Sequence, residues 1–319
     1  MLLLSFIGVK IRVLVFGSNG LVGSSIVRKF TNRDDIELIA SSRNDVDLFE
    51  FEKTKSFIID VQPDVVINAA AKVGGIQANN IQRFDFIVDN LKININILES
   101  LKEFPNTKII NLGSSCIYPL NIENPIKETS IMSGKLEETN SPYAMAKLSA
   151  IEIGDTMTKE FGHKIVNLMP TNLYGPNDYF NPENSHVIPG MIYKFHKAKE
   201  STEEEIYLWG DGSPLREFLF VDDLSSSILF ILDKEINEPI LNVGSSHEIT
   251  IMELAQTIKE ITNFKGDIKF DTTKPNGINR KFLDSSKLES YGWKAETDLE
   301  KGLELTYKWF LKNIDNLRL

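Results

Sequence analysis

The sequence predicts an α/β fold, a doubly wound parallel sheet joined to a smaller α+β domain. Three observations predict it. Apolar strand signals and amphipathic helix signals alternate from Ile11 to about Leu173. The first strand runs directly into a glycine-rich turn and then a helix. Beyond Gly175 the pattern turns irregular, punctuated by Pro176, Pro182, Pro189 and Pro214.

Taken in order, Ile11–Phe16 is a nearly continuous apolar run, which marks a strand buried on both faces. It leads into Gly17, Ser18, Asn19, Gly20, Leu21, Val22 and Gly23, followed by a helical pattern over residues 24–30. Glycines there permit a tight turn, a close approach of backbone amides to a pyrophosphate, and close packing of helix on strand. The helix N-terminus adds partial positive charge. These seven residues are the expected cradle of a Rossmann-type dinucleotide domain.

Further strands are expected at residues 36–40, 64–68, Lys108–Leu112 and 165–168. Residues 218–232 are expected to return to the nucleotide domain, and residues 249–264 to form a capped helix in the smaller one. The expected division is therefore 1–174 with about 218–245, against 175–217 with 246–319. Residues 1–9 are apolar but lack the basic start of a signal peptide, so a short extension is expected there, packed on the sheet or left without order.

At 319 residues the chain is long enough for two domains sharing a cleft. Its net charge, 35 minus 45 or −10, argues against nucleic acid or an anionic membrane as partner. Cys116 is the only cysteine, which rules out an internal disulfide and points to a reducing, cytoplasmic location. No stretch approaches the roughly twenty apolar residues of a membrane span, and no metal site is expected.

The chemistry is carried by Ser114, Tyr143 and Lys147. Tyr143 and Lys147 are four apart, so a helix places them on one face. An ammonium beside a phenol favours the phenolate and lowers a pKa that starts near ~10. Ser114, at the end of an apolar run, is placed to hold the same substrate oxygen. The Tyr/Lys spacing alone also fits any amphipathic helix; behind a glycine loop it points to coupled hydride and proton transfer. At the end of the second strand, Ala40-Ser41-Ser42-Arg43 offers no acid for a free ribose hydroxyl. Arg43 is either the clamp for a 2′-phosphate or a solvated surface charge.

Together these residues resemble the extended short-chain dehydrogenase/reductase family. Further blocks are similar to its GDP-L-fucose synthase branch: Ala69 to Asn79, Gly113 to Pro119, Met169 to Pro176, Asn181 to Pro189 and Arg216 to Asp223. The resemblance runs from about Lys10 to the C-terminus. It implies NADPH as cofactor, held by the glycine loop, Arg43, Leu112, Gly113, Lys147, Pro170, Thr171, Asn172, Leu173 and His186. It implies a GDP-sugar substrate contacted by Lys194, Trp209, Arg216, Asn276 and Lys281, although Trp209 in its apolar run fits a core position equally well. Cys116 and His186 match the family's base and acid for inverting carbons 3 and 5 of a 4-keto sugar, with Ser114, Tyr143 and Lys147 serving the reduction at carbon 4. A homodimer through helices near residues 86–101 and 143–160 is implied as well.

Two positions depart from the pattern. Asn19 stands where relatives often carry arginine, and Asn276 where they usually carry aspartate. The second leaves open a related GDP-4-keto sugar, a heptose or a dideoxyhexose, reduced with or without epimerisation. A non-catalytic NADP-sensing protein is the remote alternative, and retention of Tyr143 and Lys147 speaks against it. A dehydratase or 4-epimerase of the same fold is not expected to carry the Cys116 and His186 blocks.

Overall fold

Strand and helix alternate through the first half of the chain: β1 (Ile11–Phe16), α1 (Leu21–Phe30), β2 (Ile36–Ser41), α2 (Phe51–Val61), β3 (Val65–Asn68), α3 (Ile76–Ile81), α4 (Arg83–Ser100), β4 (Lys108–Leu112), α5 (Ser141–Phe161) and β5 (Ile165–Pro170). The second half adds β6 (Asn172–Tyr174), α6 (Val187–Glu200), β7 (Glu205–Trp209), β8 (Leu215–Phe220), α7 (Val221–Asp233) and β9 (Ile240–Val243). It ends with β10 (Glu248–Thr250), α8 (Ile251–Thr262), β11 (Asp267–Asp271), β12 (Arg280–Lys281), α9 (Ser286–Ser290) and α10 (Leu299–Lys312). This computed structural model describes residues 10–317 apart from Glu183 and Pro275; the extension expected at residues 1–9 lies outside the described residues.

Six strands form a wholly parallel sheet in the order β2-β1-β3-β4-β5-β9. Successive side chains of a strand point to opposite faces, and both faces here are covered. Val13, Val15, Ile67, Ile110 and Val166 pack with Ile26 of α1 and Leu224 and Ile228 of α7. Leu14, Phe16, Val66, Ile109 and Ile165 pack with Ile93 and Ile97 of α4 and Ala150 and Met157 of α5. Two-sided burial is why these strands read as unbroken apolar runs, the α/β doubly wound arrangement expected from sequence.

A second core gathers Phe180, Ile192, Phe195, Ile206, Leu208, Leu254, Ile258 and Phe310. Its organising strand is β8, which lies between β10 and β12 and also pairs with β6. β7 and β11 form a separate parallel pair. The capped helix expected over residues 249–264 is α8, with Thr250 and Glu253 closing a reciprocal capping box.

Two expectations shift. The first helix begins at Leu21, three residues early, because Gly23 is part of the helix: a Cβ there would lie 2.1 Å from the Gly17 carbonyl oxygen. The return expected from residue 218 is divided: β8 pairs in the smaller sheet, yet its Leu219 already packs in the larger core, which α7 and β9 then join fully. Leu288 and Trp293, far along the chain, also pack on the larger core.

Candidate active site

The carboxyl ends of β1, β4 and β5 converge where open α/β sheets bind ligands. At β1, Gly17 has φ +77°, and a Cβ on it would meet the Ala69 and Ala70 backbone at 2.8 Å. Only glycine fits that position. Gly20 caps α1 without any side-chain hydrogen bond, and the first turn carries no acidic residue. A Cβ on Gly20 would have one neighbour within 4 Å, the Gly17 oxygen at 3.4 Å, so this side of the turn is open. The first amides of α1 are thus left for an anion.

At the end of β2, the Ser41 hydroxyl is buried with no partner among the described residues, while Arg43 is exposed. The Ser18 amide donates to the Ser41 carbonyl at 3.0 Å, drawing the glycine loop against β2. An open glycine cradle, an orphaned hydroxyl and a free guanidinium fit a phosphorylated dinucleotide.

Ser114 follows β4 and caps a single 3-10 turn, its hydroxyl accepting from the Cys116 amide at 3.2 Å. Tyr143 and Lys147 lie in the first two turns of α5, and Lys147 is 2% exposed. The Lys147 ammonium donates to the Leu112 carbonyl at 2.7 Å, which ties α5 to the end of β4. Its Nζ lies 5.8 Å from the Tyr143 ring centroid. Burial brings Lys147 down to about 8.

Tyr143 departs from the sequence expectation. Its phenol is pushed above the ordinary range, first by burial and then by Cys116, while a hydrogen bond with Ser114 pulls it down. Burial, not the Lys147 ammonium 5.8 Å from its ring, decides the direction. A protonated phenol is the form a proton donor requires.

Phe86 of α4 meets the Tyr143 ring edge-on, with centroids 6.4 Å apart. A cavity of about 140 Å³ opens beside it, lined by Lys72, Gly74, Gln82, Phe86, Tyr179 and Asn184. Gly74 and Gly75 dock the segment that carries His186. The Gly75 amide donates to the Asn184 carbonyl at 2.8 Å, and a Cβ on Gly75 would strike the Ser185 carbonyl oxygen at 2.4 Å. His186 then occupies the N-cap of α6, exposed at the surface and with no capping hydrogen bond from its side chain.

Pro170 ends β5, and Leu173 lies in β6, half-buried against the larger core. Thr171 and Asn172 both donate to the Glu217 carbonyl, at 3.1 and 2.8 Å. Arg216 and Lys281 are register partners in β8 and β12. Arg216 therefore stands in a strand, although Gly212 and Pro214 just before it spell a turn in the sequence. It has no carboxylate partner among the described residues; its guanidinium donates to the Leu215 carbonyl at 2.8 Å.

Trp209 is 58% exposed, which removes the core reading, and Lys274 lies 5.8 Å over its ring. Lys194 donates to the Tyr207 carbonyl on the same strand as Trp209. Asn276 is exposed, and its side-chain oxygen accepts from the Asp211 amide at 2.8 Å.

Three side chains at this site escaped the sequence reading. Phe86 backs Tyr143, Asn140 donates to the Cys116 sulfur at 3.6 Å, and the buried Glu217 carboxylate accepts from the Ser246 and Leu283 amides at 3.0 and 3.2 Å. Only the position of Asn140, just before the Tyr143 helix, offered a signal. Among the described residues no group of three His, Cys, Asp or Glu is placed to hold a metal ion, and no helix is long and apolar enough to cross a membrane.

Comparison with known proteins gives the same picture. The NAD dependent epimerase/dehydratase family model matches residues 13–244. GDP-L-fucose synthase 1 of Arabidopsis thaliana is 46% identical over 305 residues, 96% of this chain and 94% of the relative. Among solved structures, an NADP-bound GDP-L-fucose synthetase from Naegleria fowleri superposes with a TM-score of 0.88 at 29% identity, covering 98% of this chain and 97% of that one. A GDP-6-OMe-4-keto-L-xylo-heptose reductase from C. jejuni also reaches 0.88, at 27% identity over 95% and 98%.

Proposed function

We propose, for a chain that belongs to the NAD dependent epimerase/dehydratase family and within it to the GDP-L-fucose synthases, the NADPH-dependent 3,5-epimerisation and 4-reduction of GDP-4-keto-6-deoxymannose to GDP-L-fucose. The observation that carries this reading is the gathering of Ser114, Cys116, Tyr143 and Lys147 around the end of β4 and the start of α5.

Gly17, Ser18, Asn19, Gly20, Leu21, Val22 and Gly23 would hold the pyrophosphate, and Arg43 the 2′-phosphate. Leu112, Gly113, Lys147, Pro170, Thr171, Asn172, Leu173 and His186 would hold the nicotinamide half. NADPH, when bound, supplies the hydride for carbon 4. The carbon-4 ketone acidifies the protons on carbons 3 and 5. Cys116 removes each proton as a thiolate, leaving an enediolate, and His186 returns one from the opposite face. Ser114 hydrogen-bonds the carbon-4 oxygen, and Tyr143 gives that oxygen its proton as the alcohol forms. General acid–base steps of this kind supply roughly 100- to 10,000-fold each.

Arg216 and Lys281 bind the diphosphate, with Lys194, Trp209 and Asn276 contacting the rest of the nucleotide sugar. The protein works in the cytoplasm as a homodimer, supported by an apolar groove on the outer face of α4 and α5.

A second reading, reduction of a related GDP-4-keto heptose or dideoxyhexose, is supported by the likeness to the heptose reductase and by Asn276 in place of an acid. Incubation with GDP-4-keto-6-deoxymannose and NADPH in heavy water decides between them. Deuterium at carbons 3 and 5 of an L-fucose product is the expected result. Reduction without deuterium identifies a plain 4-reductase, and no turnover identifies a different keto sugar.

A further inference from the structure

We propose that Asn140 is a positioning residue for the epimerisation half of the reaction, its side-chain amide holding the Cys116 sulfur as the anion that takes the sugar's proton. The inference rests on the reading of Cys116 as the base.

Asn140 occupies the N-cap of α5, where an asparagine side chain ordinarily accepts from the second or third helical amide. Here it makes no such bond. Its Nδ2 instead donates to Cys116 Sγ at 3.6 Å, and its Oδ1 is buried with no partner among the described residues. An asparagine that forgoes the cap and leaves a buried oxygen unpaired calls for an explanation. The bond to sulfur supplies one.

The local turn enforces this orientation. Glu137 accepts from the Asn140 amide at 3.1 Å and from the Thr139 amide and hydroxyl at 3.0 and 2.6 Å, fixing the backbone ahead of the helix. From the other side, the Ser114 hydroxyl accepts the Cys116 amide at 3.2 Å. The sulfur is therefore held between a turn and a helix start, beside Tyr143.

In the proposed step, a carbon–hydrogen bond of the sugar breaks. Its electron pair moves into the enediolate, and the proton forms an S–H bond on Cys116. An N–H donor binds the thiolate more strongly than the thiol, so it favours the reactive form before transfer. Tyr143 on α5 is the titratable group that interacts with Cys116, and Glu137 is the charged group in the adjoining turn.

The chain has a single cysteine, so alkylation reads this one thiol. The full-length, cofactor-free enzyme is treated with iodoacetamide across a pH series. The reactivity midpoint of Asn140→Ala is expected about one pH unit above that of the unaltered protein. Asn140→Asp, the same size but an anion without the donor, is expected to lie higher still, and it carries the comparison if the alanine variant does not fold.

In heavy water, deuterium entry at carbons 3 and 5 falls about ten-fold in Asn140→Ala near neutrality and recovers as pH rises, a recovery that a merely structural defect would not give. Equal midpoints in the unaltered protein and both variants overturn the proposal. Undiminished deuterium entry in Cys116→Ser overturns the base reading itself, independently of the midpoints.

Discussion

Lys281 stands directly beside Arg216, the two residues paired in register across the parallel strands β12 and β8. Among the described residues neither cation has a carboxylate partner, so the two repel unless an anion bridges them. Burial already disfavours the Arg216 charge. On the proposed reading, the substrate diphosphate would satisfy both. Because ground state and transition state carry the same diphosphate, Arg216→Ala is expected to raise KM about 10- to 100-fold with kcat little changed. Arg216→Lys should recover little of this, since an ammonium cannot reproduce the guanidinium fork. Initial-rate kinetics on the two variants check it; a loss confined to kcat would place Arg216 elsewhere in the mechanism.

The pairing also shows what a sequence can and cannot disclose. β1 and its glycine turn were legible because two-sided burial leaves an unbroken apolar run, and the steric need at Gly17 admits no other residue. Tyr143 and Lys147 were legible because four residues return to the same helix face. Trp209 was readable in principle: Ile206 and Leu208 are buried, and the period of two puts Trp209 with Glu205 and Tyr207 outside.

The direction of the Tyr143 shift was not readable. It depends first on how deeply the phenol is buried, which is set by side chains distant in the chain such as Phe86. Nor was Arg216 readable as a strand residue, since its partners β10 and β12 lie more than thirty and sixty residues downstream.

The role proposed for Lys147 in catalysis comes with a consequence for stability. Its folded pKa is about 8, against an ordinary value of 10.5 in the unfolded chain. Between those values the unfolded chain binds the extra proton, so the Lys147 contribution to stability rises as pH climbs from 8 to 10.5. Below 8 the buried ammonium carries its full penalty. Lys147→Met is therefore expected to melt higher than the unaltered, cofactor-free protein at pH 7, with the gap closing toward pH 10. Turnover should fall by at least about 100-fold. Calorimetry across this range, beside a turnover assay, tests both halves; a lower melting temperature at pH 7 would show that the Leu112 bond outweighs the desolvation.

Glu217 shows the opposite sign. Burial raises its carboxyl from 4.5 to about 7, even though amides of Leu283 and Ser246 donate to it. Its stabilising contribution is complete below 4.5 and is lost as pH rises through 7. Glu217→Gln does not titrate, so the melting temperature of the unaltered protein minus that of the variant should shrink from pH 5 to pH 8. The carboxylate also fastens Leu283, two residues beyond Lys281. The variant is therefore expected to show a raised KM for the nucleotide sugar as well. A constant melting difference across the series would mean that Glu217 stays ionised throughout.

The outer face of α4 and α5 carries the last prediction. Ile95, Leu98, Ile153, Met157 and Phe161 line a groove between the two helices, with Glu99, Lys102 and Glu160 at its rim. Ile95 and Phe161 are 40% and 41% exposed, an apolar surface with a charged border of the kind that marks an association site. A second copy meeting this face across a two-fold axis would match groove to groove and bury both helices. Ile95→Asp places an unpaired charge at the centre of that contact without touching the sheet core. Light scattering after size-exclusion chromatography should report a dimer for the unaltered protein and a monomer for Ile95→Asp. The same α5 carries Tyr143 and Lys147, so the monomer is also expected to lose turnover and to melt lower. A monomeric unaltered protein at micromolar concentration would remove this face as a dimer contact.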